Sequence, residues 1–134
     1  MKDMDTNFNY MVVDDDPTNN LICRLMIKKF DPDAEIKLFS KPEEGLHFIE
    51  NYVGSLTVLF LDINMPTLSG WEFLDNFIEF RSEIKNKFEI YILTSAIQSF
   101  QKEKELYPFV KNILAKPLKE KYLLDIKNSI GNAI

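Results

Sequence analysis

Cysteine and histidine are nearly absent: the 134 residues contain one of each, Cys23 and His47. A lone cysteine excludes an internal disulfide and suits a reducing compartment. One Cys and one His also fall short of the ligand set of a structural zinc site. Positive charge is in short supply as well. With 16 Lys and Arg against 21 Asp and Glu, the formal charge is −5, so there is no basic field to gather nucleic acid or anionic lipid, and direct DNA binding is not expected. Long apolar runs are missing: no stretch approaches the ~20 residues of a membrane-spanning helix. The opening "MKDMDTNFN" has neither the basic start nor the apolar core of a secretory signal. These absences lead to the expectation of a soluble cytoplasmic protein. The chain is too short for two domains and reads as one, 1–134, with residues 1–8 as a disordered or extended tail.

Hydrophobic residues make up 46% of the chain, enough for a real core. Four short apolar runs, "YMVV" (10–13), "TVLFL" (57–61), "IYIL" (90–93) and "NILA" (112–115), lack the alternation of a half-exposed strand. They read as strands buried on both faces, as in a parallel sheet under helices. A fifth run, "AEIKLF" (34–39), alternates better and is expected nearer an edge. Segments of helical spacing lie between and after them. The first follows Pro17 and carries Leu21, Ile22, Leu25, Met26 and Phe30 on one broad side. "PEEGLHFIENY" has Glu43 and Glu44 in its first turn, where negative charge is favoured. "WEFLDNFIEF" turns Phe73, Leu74, Phe77 and Ile78 inward, "QSFQKEKELY" is polar, and "LKEKYLLDIKNSI" carries Tyr122, Leu123, Ile126 and Ile130 as its stripe. "RSEIKNK" (81–87) reads as a solvated helix end and loop. Strand and helix thus alternate five times, which with right-handed crossovers predicts an α/β, doubly wound sheet.

Ligands of such sheets bind beyond the carboxyl ends of the strands. The first strand runs into Asp14 and Asp15, the third into Asp62 within "LFLDINMP", the fourth into Thr94 and Ser95, and the fifth into Lys116 and Pro117. Three carboxylates, two hydroxyls and one ammonium are therefore expected at one edge. Two carboxylates about 4 Å apart repel by roughly 4 kcal/mol at an effective dielectric of ~20. Lys116 offsets one charge. A hard divalent ion such as Mg2+, with Mn2+ as the alternative, would offset the rest through carboxylates, a backbone carbonyl and waters. Asp16, just before Pro17, reads as a helix N-cap.

An acidic pair after the first strand, D-x-N-M-P-x-x-x-G from Asp62 to Gly70, a hydroxyl residue after the fourth strand and Lys-Pro after the fifth occur in that order. Together they resemble the receiver domains of two-component response regulators, over nearly the whole chain. The resemblance implies a CheY-like, flavodoxin-like fold: a five-stranded parallel sheet in the order 2-1-3-4-5 with helices on both faces. It implies that Asp62 accepts a phosphoryl group from a histidine kinase or a histidine phosphotransfer protein. Asp14, Asp15, Asp62 and the Asn64 backbone carbonyl would hold the metal, while Lys116 and Thr94 would contact the phosphoryl oxygens. Gly70 would permit the turn into the third helix, and Asn64 and Ala96 would influence the phosphoryl lifetime. A conformational switch would then reach a downstream protein partner. The domain would act in signalling rather than as an enzyme, and with no output domain in the sequence it is expected to stand alone. One position departs from the family. Where an aromatic residue usually stands three places before the lysine, this chain has Ile113, and Phe109 is out of register to replace it. A muted or different response at the surface of the fourth helix and fifth strand is expected.

In the first helix, Cys23 and Ile27 widen the apolar side and leave Asn20, Arg24 and Lys28 as a narrow polar line. The surplus is expected to dock a helical partner, against the alternative of burial under the last helix. His47 reads as a surface or boundary residue, Cys23 as a small hydrophobe and Trp71 as a local packing residue. A rival function is a haloacid-dehalogenase-type phosphatase, because "DDDPT" fits D-x-D-x-T with Asp14 as nucleophile and Asp16 as acid-base. That family needs a later acidic pair which is lacking here, and it leaves Asp62 without a role. A degenerate receiver serving only as an interaction module conflicts with the complete acidic, hydroxyl and lysine set. A flavodoxin would need a Ser/Thr-rich phosphate loop after the first strand.

Overall fold

The computed structural model describes residues 8–95 and 101–133. Its strands are β1 (Asn9–Val13), β2 (Ile36–Phe39), β3 (Thr57–Leu61), β4 (Phe88–Thr94) and β5 (Val110–Ala115). They form one sheet in the order β2-β1-β3-β4-β5, and every pairing is parallel. The apolar runs explain this. All five residues of β3 are buried, which only a central strand covered on both faces allows. Lys37 interrupts β2, which takes the edge. Among the described residues six helices accompany the strands: α1 (Pro17–Phe30), α2 (Pro42–Glu50), α3 (Gly70–Phe77), α4 (Ser82–Lys85), α5 (Gln101–Lys104) and α6 (Glu120–Ala133). Among the described residues, none is long and apolar enough to cross a membrane.

Two apolar layers sandwich the sheet. Met11, Val13, Leu59, Leu61, Ile90, Ile92 and Ile113 face α2 and α3, where they meet Ile49, Phe73, Leu74 and Phe77. Tyr10, Val12, Val58, Phe60 and Leu93 face α1 and α6, where they meet Cys23, Ile27, Leu123 and Ile126. Helix starts follow local chemistry. The Asp16 carboxylate accepts from the Thr18 N–H at 3.0 Å with Pro17 as the first helical residue. At α3, Ser69 and Glu72 form a reciprocal capping box.

Five expectations need correction. Ile78, expected inward, is the C-cap of α3 and is exposed. Phe8, expected in the tail, is buried against Tyr10, their ring centroids 5.3 Å apart; residues 1–7 lie outside the described residues. "RSEIKNK" contains the one-turn α4, whose Ile84 is buried. Of the helix expected over 98–107, only Gln101–Lys104 is helical among the described residues. The largest difference concerns α1, which is rotated from the expected phase. Cys23 and Ile27 are fully buried while Leu21, Ile22 and Leu25 are 53%, 40% and 61% exposed. Asn20, expected on the solvent line, is buried, and Lys28 reaches forward to the Ala34 carbonyl at 2.6 Å.

This phase makes Ile27 a core residue and Leu25 a surface one. Ile27→Ala is expected to lower unfolding free energy by about 2–4 kcal/mol, and Leu25→Ala by less than about 0.5 kcal/mol. Denaturant unfolding of both variants checks this, and equal losses would contradict the assigned face.

Candidate metal centre

The order of the sheet reverses between β1 and β3, so their carboxyl ends open onto the crevice where such folds bind ligands. The register places Val13 beside Leu61, which brings Asp14 and Asp62 out together. One carboxylate oxygen each from Asp14, Asp15 and Asp62 can be chosen so that all lie within 4.8 Å of one another. Asp14 and Asp62 are buried, at 1% and 6% exposure, so their repulsion is poorly screened by water.

The positive charge comes from β5. Thr94 pairs with Ala115 in the ladder and its carbonyl accepts from the Lys116 N–H at 2.9 Å, which sets Lys116 just past the sheet edge. The Lys116–Pro117 peptide is cis. Lys116 Nζ lies 2.8 Å from Asp14 Oδ2 and 3.5 Å from Asp62 Oδ1, so the ammonium leans toward Asp14. Burial works against its charge, but Asp14 and then Asp62 outweigh that and raise its pKa. Asp62 is left with the weaker share. Its burial, followed by the Asp14 charge, pushes its pKa up to about 6, against the opposing pull of Lys116 and the Ile63 N–H.

Other donors gather on Asp14. The Asp16 N–H reaches Oδ1 at 2.9 Å, the Asn19 amide reaches Oδ2 at 2.7 Å, and the Asn20 amide reaches the Asp14 carbonyl at 3.0 Å. Asn20 Oδ1 is the one buried side-chain oxygen or nitrogen among the described residues without a hydrogen-bond partner. Asn19 also approaches the Cys23 sulfur at 3.7 Å. Burial, then the charge of Asp14, pushes the Cys23 thiol up to about 12, so it packs as a neutral group. Both asparagines were missed as site residues in the sequence. Their signal was the amide pair in the first turn of a helix opening on three aspartates.

Thr94 is fully buried and Ser95 exposed, which separates two hydroxyls that spacing alone could only rank. Asn64 is exposed, between the buried Ile63 and Met65. Gly70 has an ordinary negative φ. A Cβ there would lie 2.5 Å from the Asp62 carbonyl, so the need is close approach of α3 to the acidic strand end rather than an unusual turn. Asp16 is used as a cap, which removes the second carboxylate of the phosphatase reading. Ile113 is buried beside Ile92, and Phe109 packs on Phe77 at 5.8 Å. Trp71 stacks on Tyr107 at 5.1 Å, and His47 is exposed on α2. Ala96 lies outside the described residues.

The donor set fits a hard dication. It offers three carboxylates, all oxygen, with no thiolate or imidazole among them, and Asp15 is accessible enough to keep water nearby.

The family model of the response regulator receiver domain matches residues 10–128. A response regulator receiver protein from Dyadobacter fermentans superposes with a TM-score of 0.85 at 17% identity, over 92% of this chain and 98% of that one. A two-component response regulator from Cytophaga hutchinsonii gives 0.81 at 25% identity, over 92% and 96%. A CheY-like receiver domain protein from Methanospirillum hungatei gives 0.71 at 20% identity, over 93% and 94%. No curated protein matches significantly.

The raised pKa of Asp62 has a signed consequence for the metal-free protein. Its folded value of about 6 exceeds the ordinary 3.8, so the folded state binds more protons between those values and stability falls as pH rises through that window. The shift corresponds to about 2–3 kcal/mol at neutral pH. With chelator present, Asp62→Asn is expected to be more stable than the native protein near pH 7 by about 2 kcal/mol, the gap closing near pH 4. Thermal or urea unfolding across pH measures it, and an equal gap at both pH values would contradict it.

Proposed function

The chain belongs to the response regulator receiver domain family, a family of signalling domains, and on that premise we propose that Asp62 is its phosphoacceptor and that Mg2+ supports the transfer. The observation that carries this reading is the unequal sharing of Lys116. Asp14 holds the ammonium at 2.8 Å while Asp62, at 3.5 Å, is left desolvated and under-compensated, the state in which a carboxylate gains most from meeting a cation and a phosphoryl group.

Asp14, Asp15, Asp62 and the Asn64 carbonyl would hold the ion. When bound, it supplies charge that screens the phosphoryl oxygens and helps keep them in line. An Asp62 carboxylate oxygen attacks the phosphorus of a phosphohistidine. The N–P bond breaks as the O–P bond forms, and the departing imidazole keeps the electron pair and takes a proton from water. Lys116 turns its ammonium to the phosphoryl oxygens, and the Thr94 hydroxyl, at the end of β4, donates to one of them. A charge-assisted hydrogen bond of about 1.5–3 kcal/mol is enough to move a two-state equilibrium about tenfold or more. Ile113 cannot act as a rotating aromatic, so the response passes through Thr94 and the segment after β4.

The donor is a histidine kinase or histidine phosphotransfer protein, and its helix docks on α1. The apolar surface that supports this is Leu21, Ile22 and Leu25, not the buried Cys23 and Ile27. It lies on the helix whose first turns brace Asp14. The output is binding of a further protein.

Intact-mass measurement after incubation with acetyl phosphate tests the central step. One phosphoryl group is expected on the native chain with Mg2+, and none with chelator or in Asp62→Asn; labelling of Asp62→Asn at the native level would refute the assignment. For the docking face, Leu25→Lys is expected to slow transfer from a phosphohistidine-bearing protein at least about tenfold, by loss of apolar burial and addition of charge. Uptake from acetyl phosphate should be unchanged. Equal transfer rates for native and variant would remove α1 as the docking site.

A further inference from the structure

Asp14 is bound by more donors than charge balance calls for. Lys116 and Asn19 share a single oxygen, Oδ2, at 2.8 and 2.7 Å. The two donors come from opposite sides of the chain's topology: Lys116 follows β5 and Asn19 sits in the first turn of α1. The lysine side chain is 21% exposed and belongs to the loop that must adjust to a phosphoryl group, whereas Asn19 is buried at 7% on a helix anchored by its Asp16 cap. Contact with the Cys23 sulfur steadies the Asn19 amide, and the neighbouring Asn20 amide ties α1 to the Asp14 main chain.

Resting on the phosphoacceptor reading above, we propose that Asn19 is a positioning residue: it keeps Asp14 Oδ2 hydrogen-bonded when Lys116 leaves for the phosphoryl oxygens. The ammonium must travel from the 2.8 Å side of its resting place toward Asp62, the 3.5 Å side. Without a second donor, that movement would strand a buried carboxylate oxygen and hold the lysine back. With Asn19 in place, Asp14 keeps its orientation as a metal ligand throughout, in the manner of the outer partners that fix ligating side chains. The roles are thus divided: Asn19 holds, and Lys116 is free to move.

Asn19→Leu, close in volume but without donors, separates this from a merely structural role. With Lys116 present, the lysine itself still orients Asp14, so the Mg2+ dissociation constant should change by less than about threefold. The rate of Asp62 phosphorylation by acetyl phosphate should fall about tenfold, because the ammonium is retained on Asp14. In a Lys116→Met background Asn19 is, among the described residues, the one side-chain donor left on Oδ2. Adding Asn19→Leu there should weaken Mg2+ binding by roughly tenfold. Calorimetric titration of the four proteins with MgCl2, together with phosphorylation rates of the two that keep Lys116, gives both readouts, and thermal unfolding reports whether each is folded.

An equal loss of Mg2+ affinity in the two backgrounds, or an unchanged phosphorylation rate in Asn19→Leu, overturns the proposal. If Lys116→Met fails to fold, the split between affinity and rate in Asn19→Leu alone decides. Failure of the native chain itself to bind Mg2+ or to become phosphorylated on Asp62 is a separate outcome, and it removes the phosphoacceptor reading together with the role of Asn19.

Discussion

One ammonium serves two buried carboxylates, and most of the upper edge of the fold is arranged around that shortage. Lys116 stands between Asp14 and Asp62 because Thr94 and Ala115 end their strands in register. Asp14 and Asp62 face one another because Val13 and Leu61 do the same on the other side. The strands can end so abruptly in charge because the residues before them are buried on both faces, and the hydrophobic gain of that burial, about 1.5–3 kcal/mol for a large apolar side chain, holds the acids in place against their repulsion. The core therefore holds the two carboxylates together under electrostatic tension.

Helices α1 and α3 act on this edge differently. Through Asp16, Asn19 and Asn20, α1 supplies donors to Asp14 and makes that carboxylate the settled member of the pair. At α3 the contribution is proximity: Gly70 lets the helix start against the Asp62 carbonyl, and the capping box of Ser69 and Glu72 fixes where it begins. The Trp71–Tyr107 stack and the Tyr107 hydrogen bond to Asp75 at 2.8 Å then join α3 to the segment that leads into β5. The strand that leads to Lys116 and the helix beside Asp62 are thus linked a second time, away from the acidic edge.

Most of this was legible in the sequence because it follows from period and punctuation. Each apolar run stops at a polar residue, so the strand ends, and with them Asp14, Asp62, Thr94 and Lys116, could be placed without knowing any contact. The phase of α1 could not. Leu21, Ile22, Cys23, Leu25, Met26 and Ile27 surround much of the helix, so hydrophobicity leaves its rotation open. The rotation follows from the Asp16 cap and from two amides that reach Asp14, and these bury the 19, 23, 27 ridge. Polar residues inside and leucines outside is the reverse of what amphipathic reading expects. Likewise α4 has a single turn, too short to show a period, and its one apolar residue gave no sign of burial. Phe8 sits beyond the polar opening residues, where composition alone suggests a tail.

Thermal stability as a function of MgCl2 concentration tests the underlying electrostatics most directly, since an ion that binds only the folded state raises its stability by mass action. The melting temperature of the native protein should climb with the logarithm of Mg2+ concentration above the dissociation constant, and that of Asp15→Asn, which lacks one ligand but keeps the core, should climb far less. A native melting temperature indifferent to Mg2+, or the same rise in both proteins, would mean that the three aspartates do not form a cation site.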